Sequence, residues 1–544
     1  MEADFVIVGG GSAGCVLANR LSADGRHTVV LIEAGPPDSS PFIHMPAGII
    51  PVVRSDTYNW KYWTAPEPEM GNRPMFWPRG RTLGGSSSIN AMCYVRGHAW
   101  DYDHWAELGC KGWSYADVLP VFRRMENFEP LAQRLKLEPA SGAPDAYHGV
   151  GGPLNVAEHR HINPLMKAFI EAAQQAGYPL TPDFNGDTQE GIGYYHVMQK
   201  GGQRCSNAKA YLSDAVKARD NLTILTDAQA VGVRFANKRA VAVTLRSAPG
   251  EITARREVIL AAGAIGSPQL LMLSGVGPAQ HLQALGVPLV CDSRGVGENL
   301  QDHLDVTVSV KERSRHAVSL NPLGLPRSLK SVWQYVTKKE GEMTSNFAQA
   351  GGFIKSHPRE PIPDIQLHFV PFVYSNHGQD LGPIFKYWGY TLMACDLRPK
   401  SRGRITLAST DPLVHPKIEA RYLQHESEMQ RLLTAIMKGR EILSQPAFKP
   451  HRGEELLPGA EVQSDEELRE WIRQKAETIY HPVGTVKMGV DEAAVLDLRL
   501  RVRGVEGLRV ADASVMPTLI GGNTNAPTTM IAEKAAEMIL SDHR

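Results

Sequence analysis

The sequence predicts an α/β protein of two units, one built on a parallel sheet and one, α+β in character, on a large antiparallel sheet. Three observations carry this. The first 33 residues read strand, glycine turn, helix, strand. A second strand-to-helix turn of glycines and small residues recurs at 258–268. Between about 305 and 471 the glycine fingerprints stop and short alternating strands take over.

Each element follows from its residues. The apolar run 4–8 is a strand, 9–14 a turn, 12–21 a helix with an apolar face, and 28–32 a second strand ending at Glu33. A crossover of this length suits parallel pairing. The segment 36–78 is rich in Pro, Trp and Tyr and has little period, which predicts a long ordered excursion serving as a lid or binding loop. A glycine cluster follows at 80–88. Further apolar strands are expected at 222–225, 230–233, 241–245 and 258–262, the last running into Gly263, Gly266 and Pro268 before an amphipathic stretch at 269–273. Alternating strands at 365–370 and 390–397 belong to the second unit. Near the C-terminus a strand at 508–510 is followed by a loop through Asn525 and a helix from Pro527 to about 540, with proline in its first turn.

Composition narrows the function classes. Lys+Arg and Asp+Glu number 58 each, so the formal charge cancels, which argues against a large nucleic-acid surface and against charged disordered tails. At roughly 150 residues per domain, 544 residues make three or four units or two large ones. The six cysteines form no C-x-x-C pair, so neither a structural zinc nor a thioredoxin-like motif is offered; they read as reduced, buried thiols of a cytoplasmic protein. His159 and His161 form an H-x-H without further ligands, and no metal is expected. No signal peptide is expected either, and the apolar run 47–53 is far too short to span a bilayer. Peripheral contact at the inner face of the membrane stays open.

The chemistry begins at Gly9, Gly11 and Gly14, which satisfy G-x-G-x-x-G between strand and helix, with Glu33 nineteen residues beyond. Gly9 permits the tight turn, Gly11 admits a pyrophosphate to the backbone, and Gly14 lets helix pack on strand. The helix N-terminus offers free N–H groups to phosphate, and Glu33 would accept from an adenosine ribose. Gly10, Ser12 and Gly14 also match the nucleophile elbow G-x-S-x-G, but that motif needs a preceding loop to supply its oxyanion donors. Nine residues cannot build one. FAD is expected rather than NAD, because a ribityl chain and isoalloxazine ring extend past the first βαβ unit and must recruit distant segments. The run 79–90, with Arg81, Gly84, Gly85, Ser86 and Asn90, supplies small residues that let backbone lie against a flavin; Asp512 stands just beyond a strand, where it could bond the ribityl or pyrophosphate region.

At this point the chain resembles the glucose–methanol–choline (GMC) oxidoreductases along essentially its whole length. Residues 79–90 are similar to that family's first signature and 263–275 to its second. The FAD fingerprint, His481-Pro482 and the segment 523–525 complete the set. Within the family, 59–66, 76–80 and 477–485 are most similar to bacterial choline-dehydrogenase-like and aliphatic alcohol dehydrogenases. The resemblance implies a Rossmann-like FAD domain assembled from 1–155, 206–306 and 474–544, and a substrate domain from 156–205 and 307–473. It implies a cofactor set of Gly9, Gly11, Ser12, Ala13, Gly14, Glu33, Ala34, Arg81, Gly84, Gly85, Ser86, Asn90, Ala91, Met92, Cys93, Val231, Asp512, Asn525, Pro527 and Thr528. It implies His481 as the base that takes a hydroxyl proton while hydride leaves for flavin N5, with Asn525 beside it holding alkoxide charge; Asn523 could fill either Asn525's part or that of a helix cap. The last helix would point its N-terminus at the flavin pyrimidine edge. Ile89 stands where some members carry a flavin-linking histidine, so the FAD is expected to be non-covalent. The implied reaction is oxidation of a primary alcohol to an aldehyde with a quinone or other non-oxygen acceptor, the alternatives being an aryl- or furfuryl-type alcohol oxidase using oxygen, or a choline dehydrogenase. Oligomeric state is not indicated.

Overall fold

The opening strand Glu2–Val8 buries Phe5, Val6, Ile7 and Val8 almost completely, the near-continuous apolar run of a parallel strand covered on both faces. In the computed structural model, which describes residues 1–137 and 145–544, it pairs in parallel with Val29–Ile32 (Phe5↔Val29 to Val8↔Ile32) and with Glu251–Leu260 (Val6↔Val258, Val8↔Leu260). Residues 138–144 of the expected first segment lie outside the described residues. Leu222–Leu225 adds a parallel strand beyond Val29–Ile32, and Leu508–Val510 pairs with the end of Glu251–Leu260. That long strand turns to a different neighbour at its start, where Thr253 faces Ala242 of the antiparallel strand Arg239–Leu245, itself paired with Ala230–Ala236. The first sheet is thus drawn from both ends and the middle of the chain.

The second sheet is antiparallel. Its order is Arg452–Leu457, Leu304–Glu312, Gly389–Asp396, Ile365–Val370, Ala350–Ile354, Gly191–Tyr194. Glu477–Thr478 pairs with Leu304 and Asp305 at its edge, although the sequence places everything from 474 onward in the other unit. Three residues after that short strand comes His481, so the second sheet delivers a residue to the face of the first. The helix Glu426–Ser444 packs across the sheet, and Gly439 lets it approach: a Cβ there would stand 3.2 Å from Val308.

The excursion 36–78 forms the short helices Pro41–His44 and Ile49–Val53 and the hairpin Tyr62–Trp63 with Phe76–Trp77. It borders a cavity between the two sheets, through Ile49, Val53, Trp60 and Tyr62. Among the described residues no helix is long and apolar enough to cross a membrane.

Candidate active site

The glycine turns are shaped by contact. At Gly9 (φ +104°) a Cβ would stand 2.5 Å from the Ala261 carbonyl oxygen, and at Gly14 it would stand 1.8 Å from that of Gly9, so helix Ser12–Leu21 sits directly on the strand. The second turn locks onto the first. The Gly84 N–H donates to the Gly10 carbonyl at 2.7 Å, and a Cβ on Gly85 would meet the Gly11 Cα at 2.7 Å. Gly11 itself has nothing nearer than 3.9 Å to its Cβ position. Open space beside a helix N-terminus is what an approaching diphosphate needs.

Glu33 is buried with its carboxylate held by the Gly10 and Gly35 N–H groups, each at 2.8 Å. Burial pushes its pKa up to about 7 against those bonds. Asp512 departs from expectation: its oxygens already accept from Gly263 N–H (2.9 Å), Ser267 Oγ (2.6 Å), Ser514 N–H (2.8 Å) and Ser514 Oγ (2.5 Å). It lines the cavity but ties the strand Leu508–Val510 to the second signature turn.

The cavity encloses about 430 Å³ and runs past both glycine turns to His481. Gly9, Gly11, Ser12, Ala13, Glu33, Ala34, Gly85, Ser86, Asn90, Ala91, Met92, Cys93, Asp512, Asn525 and Thr528 line it. Gly14, Arg81, Gly84, Val231 and Pro527 do not. Gly14 and Gly84 serve the packing just described. The Arg81 guanidinium lies over the Trp60 ring at 5.3 Å. Ala228, Gln229 and Ala230, at and just before the start of the strand Ala230–Ala236, line the wall in place of Val231. Pro527 is buried in the first turn of helix Asn525–Asp542, whose Asn525 and Thr528 take the cavity side. A long cavity with an acid-clamped turn at one end, two backbone glycine loops in the middle and an imidazole at the other fits an elongated dinucleotide.

His481 is buried, and its surroundings dictate its tautomer. The Tyr195 hydroxyl donates to the Leu367 carbonyl (2.7 Å) and so accepts from Gln366 Nε2 (3.2 Å). Gln366 Nε2 also donates to Asn523 Oδ1 (3.0 Å), which turns the Asn523 Nδ2 toward His481 Nε2 at 3.3 Å. Nε2 is then the lone-pair nitrogen, and Nδ1 carries the hydrogen, donating to His303 Nδ1 at 3.0 Å. The His481 backbone N–H donates to Asp302 Oδ1 (2.6 Å), while Asp302 Oδ2 accepts from the Tyr422 and Thr478 hydroxyls. Burial, reinforced by His303, His368 and Arg79, holds the His481 imidazolium well below the usual histidine range. Burial likewise pushes His303 down to about 3 and His368 to about 4. All three are neutral at pH 7.

Asn525 is not beside His481. Its Oδ1 accepts from Ser12 Oγ at 2.7 Å and its Nδ2 donates to Asn207 Oδ1 at 3.2 Å. As the first residue of its helix it is aimed back at the first glycine turn, whereas Asn523, in the preceding loop, reaches the imidazole. Sequence reading also missed Asp302, His303, Gln366 and Tyr195. The Asp302-His303 dipeptide was the only visible signal, since Gln366 looks like any polar residue in a strand. Away from the cavity, ligand atoms of Glu312, His316 and His451 lie within 4.8 Å of one another. The Ser314 hydroxyl bonds to all three and satisfies them as they stand.

Twin glycine turns leading to a buried neutral imidazole mark an oxidoreductase that holds its cofactor against a parallel sheet. The chain belongs to the GMC oxidoreductase family, whose N-terminal model matches residues 3–305 and whose C-terminal model matches 399–532. It is 46% identical over 541 residues to a Pseudomonas putida protein named alcohol dehydrogenase (acceptor), covering 99% of this chain and 95% of that one. It is 44% identical over 544 residues to the oxygen-dependent choline dehydrogenase of Brucella anthropi, covering 99% and 96%. Among solved structures, pyridoxine 4-oxidase from Mesorbium loti superposes with a TM-score of 0.87 at 31% identity over 99% of both chains. An FAD-dependent oxidoreductase from Chaetomium thermophilum superposes with the same score, 0.87, at 27% identity over 100% of both.

Proposed function

We propose that the protein oxidises uncharged primary alcohols to aldehydes with non-covalently held FAD, and passes the electrons to a quinone or another acceptor in preference to oxygen. The observation that carries this reading is the pair His481 Nε2 and Asn523 Nδ2, 3.3 Å apart on the wall of the cavity that both glycine turns line. Gly9 to Ala13 would hold the diphosphate, Glu33 the adenosine ribose, and Asn90 to Cys93 the ring. FAD held there supplies the hydride acceptor. His481 Nε2 takes the hydroxyl proton, and it can do so at neutral pH because burial keeps it unprotonated. Asn523 Nδ2 donates to the same oxygen as negative charge grows on it. His303 accepts the Nδ1–H of His481 and Asp302 fixes its backbone, so the ring cannot turn its lone pair away. The N-terminus of helix Asn525–Asp542 faces the cavity with a partial positive charge that favours an anion there.

The wall chemistry supports a neutral substrate. The carboxylates among the lining residues are Glu33 and Asp512, both engaged at the glycine turns, while Arg79 lines the wall near His481. Phe347, Val370, Phe372 and Ile479 line the same wall beside the uncharged polar groups of Asn346, Tyr374 and Tyr480. A trimethylammonium group would meet the Arg79 guanidinium, and among the described lining residues both carboxylates are already hydrogen-bonded. The Pseudomonas putida relative is named for an alcohol and an acceptor, and the Brucella anthropi relative for choline and oxygen; the slightly higher identity to the first supports this reading. The test is anaerobic titration of the holoenzyme with short, medium, aromatic and amino alcohols. Bleaching of the flavin by neutral primary alcohols, with recolouring by quinone far faster than by air, is the expected result. Bleaching by choline alone, or rapid recolouring in air, would replace it with a choline dehydrogenase or an oxidase.

A further inference from the structure

The helix Leu325–Lys338 is built inside out. Its protein-facing side is polar: Ser331 and Tyr335 are buried, the Tyr335 hydroxyl donates to the His44 carbonyl at 3.3 Å, and Arg327 pairs with Glu342 at 2.8 Å. Its outward side is apolar. Leu325, Leu329, Val332, Trp333 and Val336 fall at i, i+4, i+7, i+8 and i+11, one stripe of an α-helix, and Leu329, Trp333 and Val336 are 62%, 61% and 66% exposed. Leu323 (67% exposed) and Phe385 (52%) extend the patch, since 320–324 is tied to 384–388 by the Leu320 N–H donating to the Ile384 carbonyl at 3.0 Å. The helix contains no acidic residue. Lys330 and Lys338 lie on it, Lys339 caps it and Lys386 follows Phe385; Glu340 and Asp380 are the exposed acids close by in sequence.

We propose that this helix lies in the surface of an anionic phospholipid bilayer and seats the protein on it. A water-facing stripe of Leu, Val and Trp with Lys330 on its flank and Lys338 and Lys339 at the C-terminal end of the helix is the pattern of an interfacial helix, its apolar side entering the acyl boundary and its cations meeting headgroup phosphates. Charge decides between a bilayer and a second copy. A two-fold contact sets the same patch against itself and brings like cations together, whereas an anionic surface pairs with every one of them. The patch adjoins the active-site wall: Leu320 and Ile384 pack in one cluster with Phe347 and Phe372, which line the cavity. Seated in this way, that wall lies beside the phase in which apolar alcohols and quinones dissolve. The proposal does not depend on the substrate reading, because its test reads position and not turnover.

The experiment is flotation of the holoenzyme with vesicles of phosphatidylcholine and phosphatidylglycerol against vesicles of phosphatidylcholine alone. Binding to the mixed vesicles, weakened by salt, is expected. The triple variant Leu329→Ser/Trp333→Ser/Val336→Ser should partition at least about tenfold less. Lys330→Glu/Lys338→Glu should lose roughly fivefold or more for each residue changed. Turnover with a soluble acceptor should be the same in all three proteins, showing that they fold. Brominated lipid should quench a tryptophan emission that Trp333→Ser removes. Absence of wild-type flotation, or equal flotation of the variants, would overturn the proposal. So would a wild-type dimer in light scattering that the triple variant converts to monomer without any vesicle binding.

Discussion

Asn523 and Asn525 stand two residues apart, one in the loop and one at the start of the helix, and the structure gives them different work, so the decisive perturbation is to remove each amide in turn. In Asn523→Ala the donor facing His481 Nε2 disappears. At 3.3 Å between neutral groups the resting contact is long, worth no more than about 1 kcal/mol, and substrate binding should hardly change. The loss falls in the transition state, where the amide would meet a developing alkoxide; a single oxyanion donor of this kind is worth about 3–4 kcal/mol, or about 10²–10³ in rate. In Asn525→Ala the missing contacts are to Ser12 and Asn207 at the glycine turn. Its FAD should dissociate more readily, with the rate of flavin reduction within about tenfold of wild type. Anaerobic stopped-flow reduction at saturating alcohol reads the first effect, and FAD release on dilution reads the second. If Asn525→Ala slowed reduction more than Asn523→Ala, or Asn523→Ala stayed within about threefold of wild type, the assignment would be refuted.

The other predictions use the same assays. His481→Ala should slow flavin reduction by about 10²–10⁴. The wild-type rate should stay level as pH falls through the ordinary histidine range, because the folded imidazole is held neutral well below it; a sigmoidal loss centred near pH 6.5 would contradict the burial argument. Stability, unlike rate, should fall over this range. Histidines with depressed folded pKa values bind protons in the unfolded chain first, so each costs the fold about 1.4 kcal/mol per pH unit below about 6.5. That penalty should continue to about pH 4 for His368 and about 3 for His303. Urea midpoints of the wild type and His368→Gln should therefore converge as pH is lowered from 7 to 5. Gly14→Ala places a methyl 1.8 Å from the Gly9 oxygen and should yield protein without FAD, whereas Gly232→Ala, with only Ser274 Oγ at 3.7 Å, should bind it normally. An FAD-loaded Gly14→Ala would show that the helix can move off the strand.

Much of the dinucleotide half was legible because its requirements are local. Gly9, Gly11, Gly14 and Glu33 lie on one βαβ unit, and the restrictions that make them glycines or an acid act over a few bonds. The resemblance to GMC oxidoreductases placed His481 as well, since the motif around it is short and continuous. Strand limits were less legible. Glu251–Leu260 begins seven residues before the expected 258 because its first half is exposed to a different neighbour and does not read as an apolar run.

What the sequence by itself determined, then, was the class of fold and the glycine turns, effects of neighbouring residues on one another; the resemblance to GMC oxidoreductases pointed to the histidine. Only the tertiary structure decided that Asn523, and not Asn525, meets that histidine, and which of its nitrogens holds the lone pair. That choice is passed along hydrogen bonds from Leu367 through Tyr195, Gln366 and Asn523 to His481, residues far apart in the chain. Spacing along a sequence carries no record of which amide faces which ring; the packing of the antiparallel sheet against the cavity sets it.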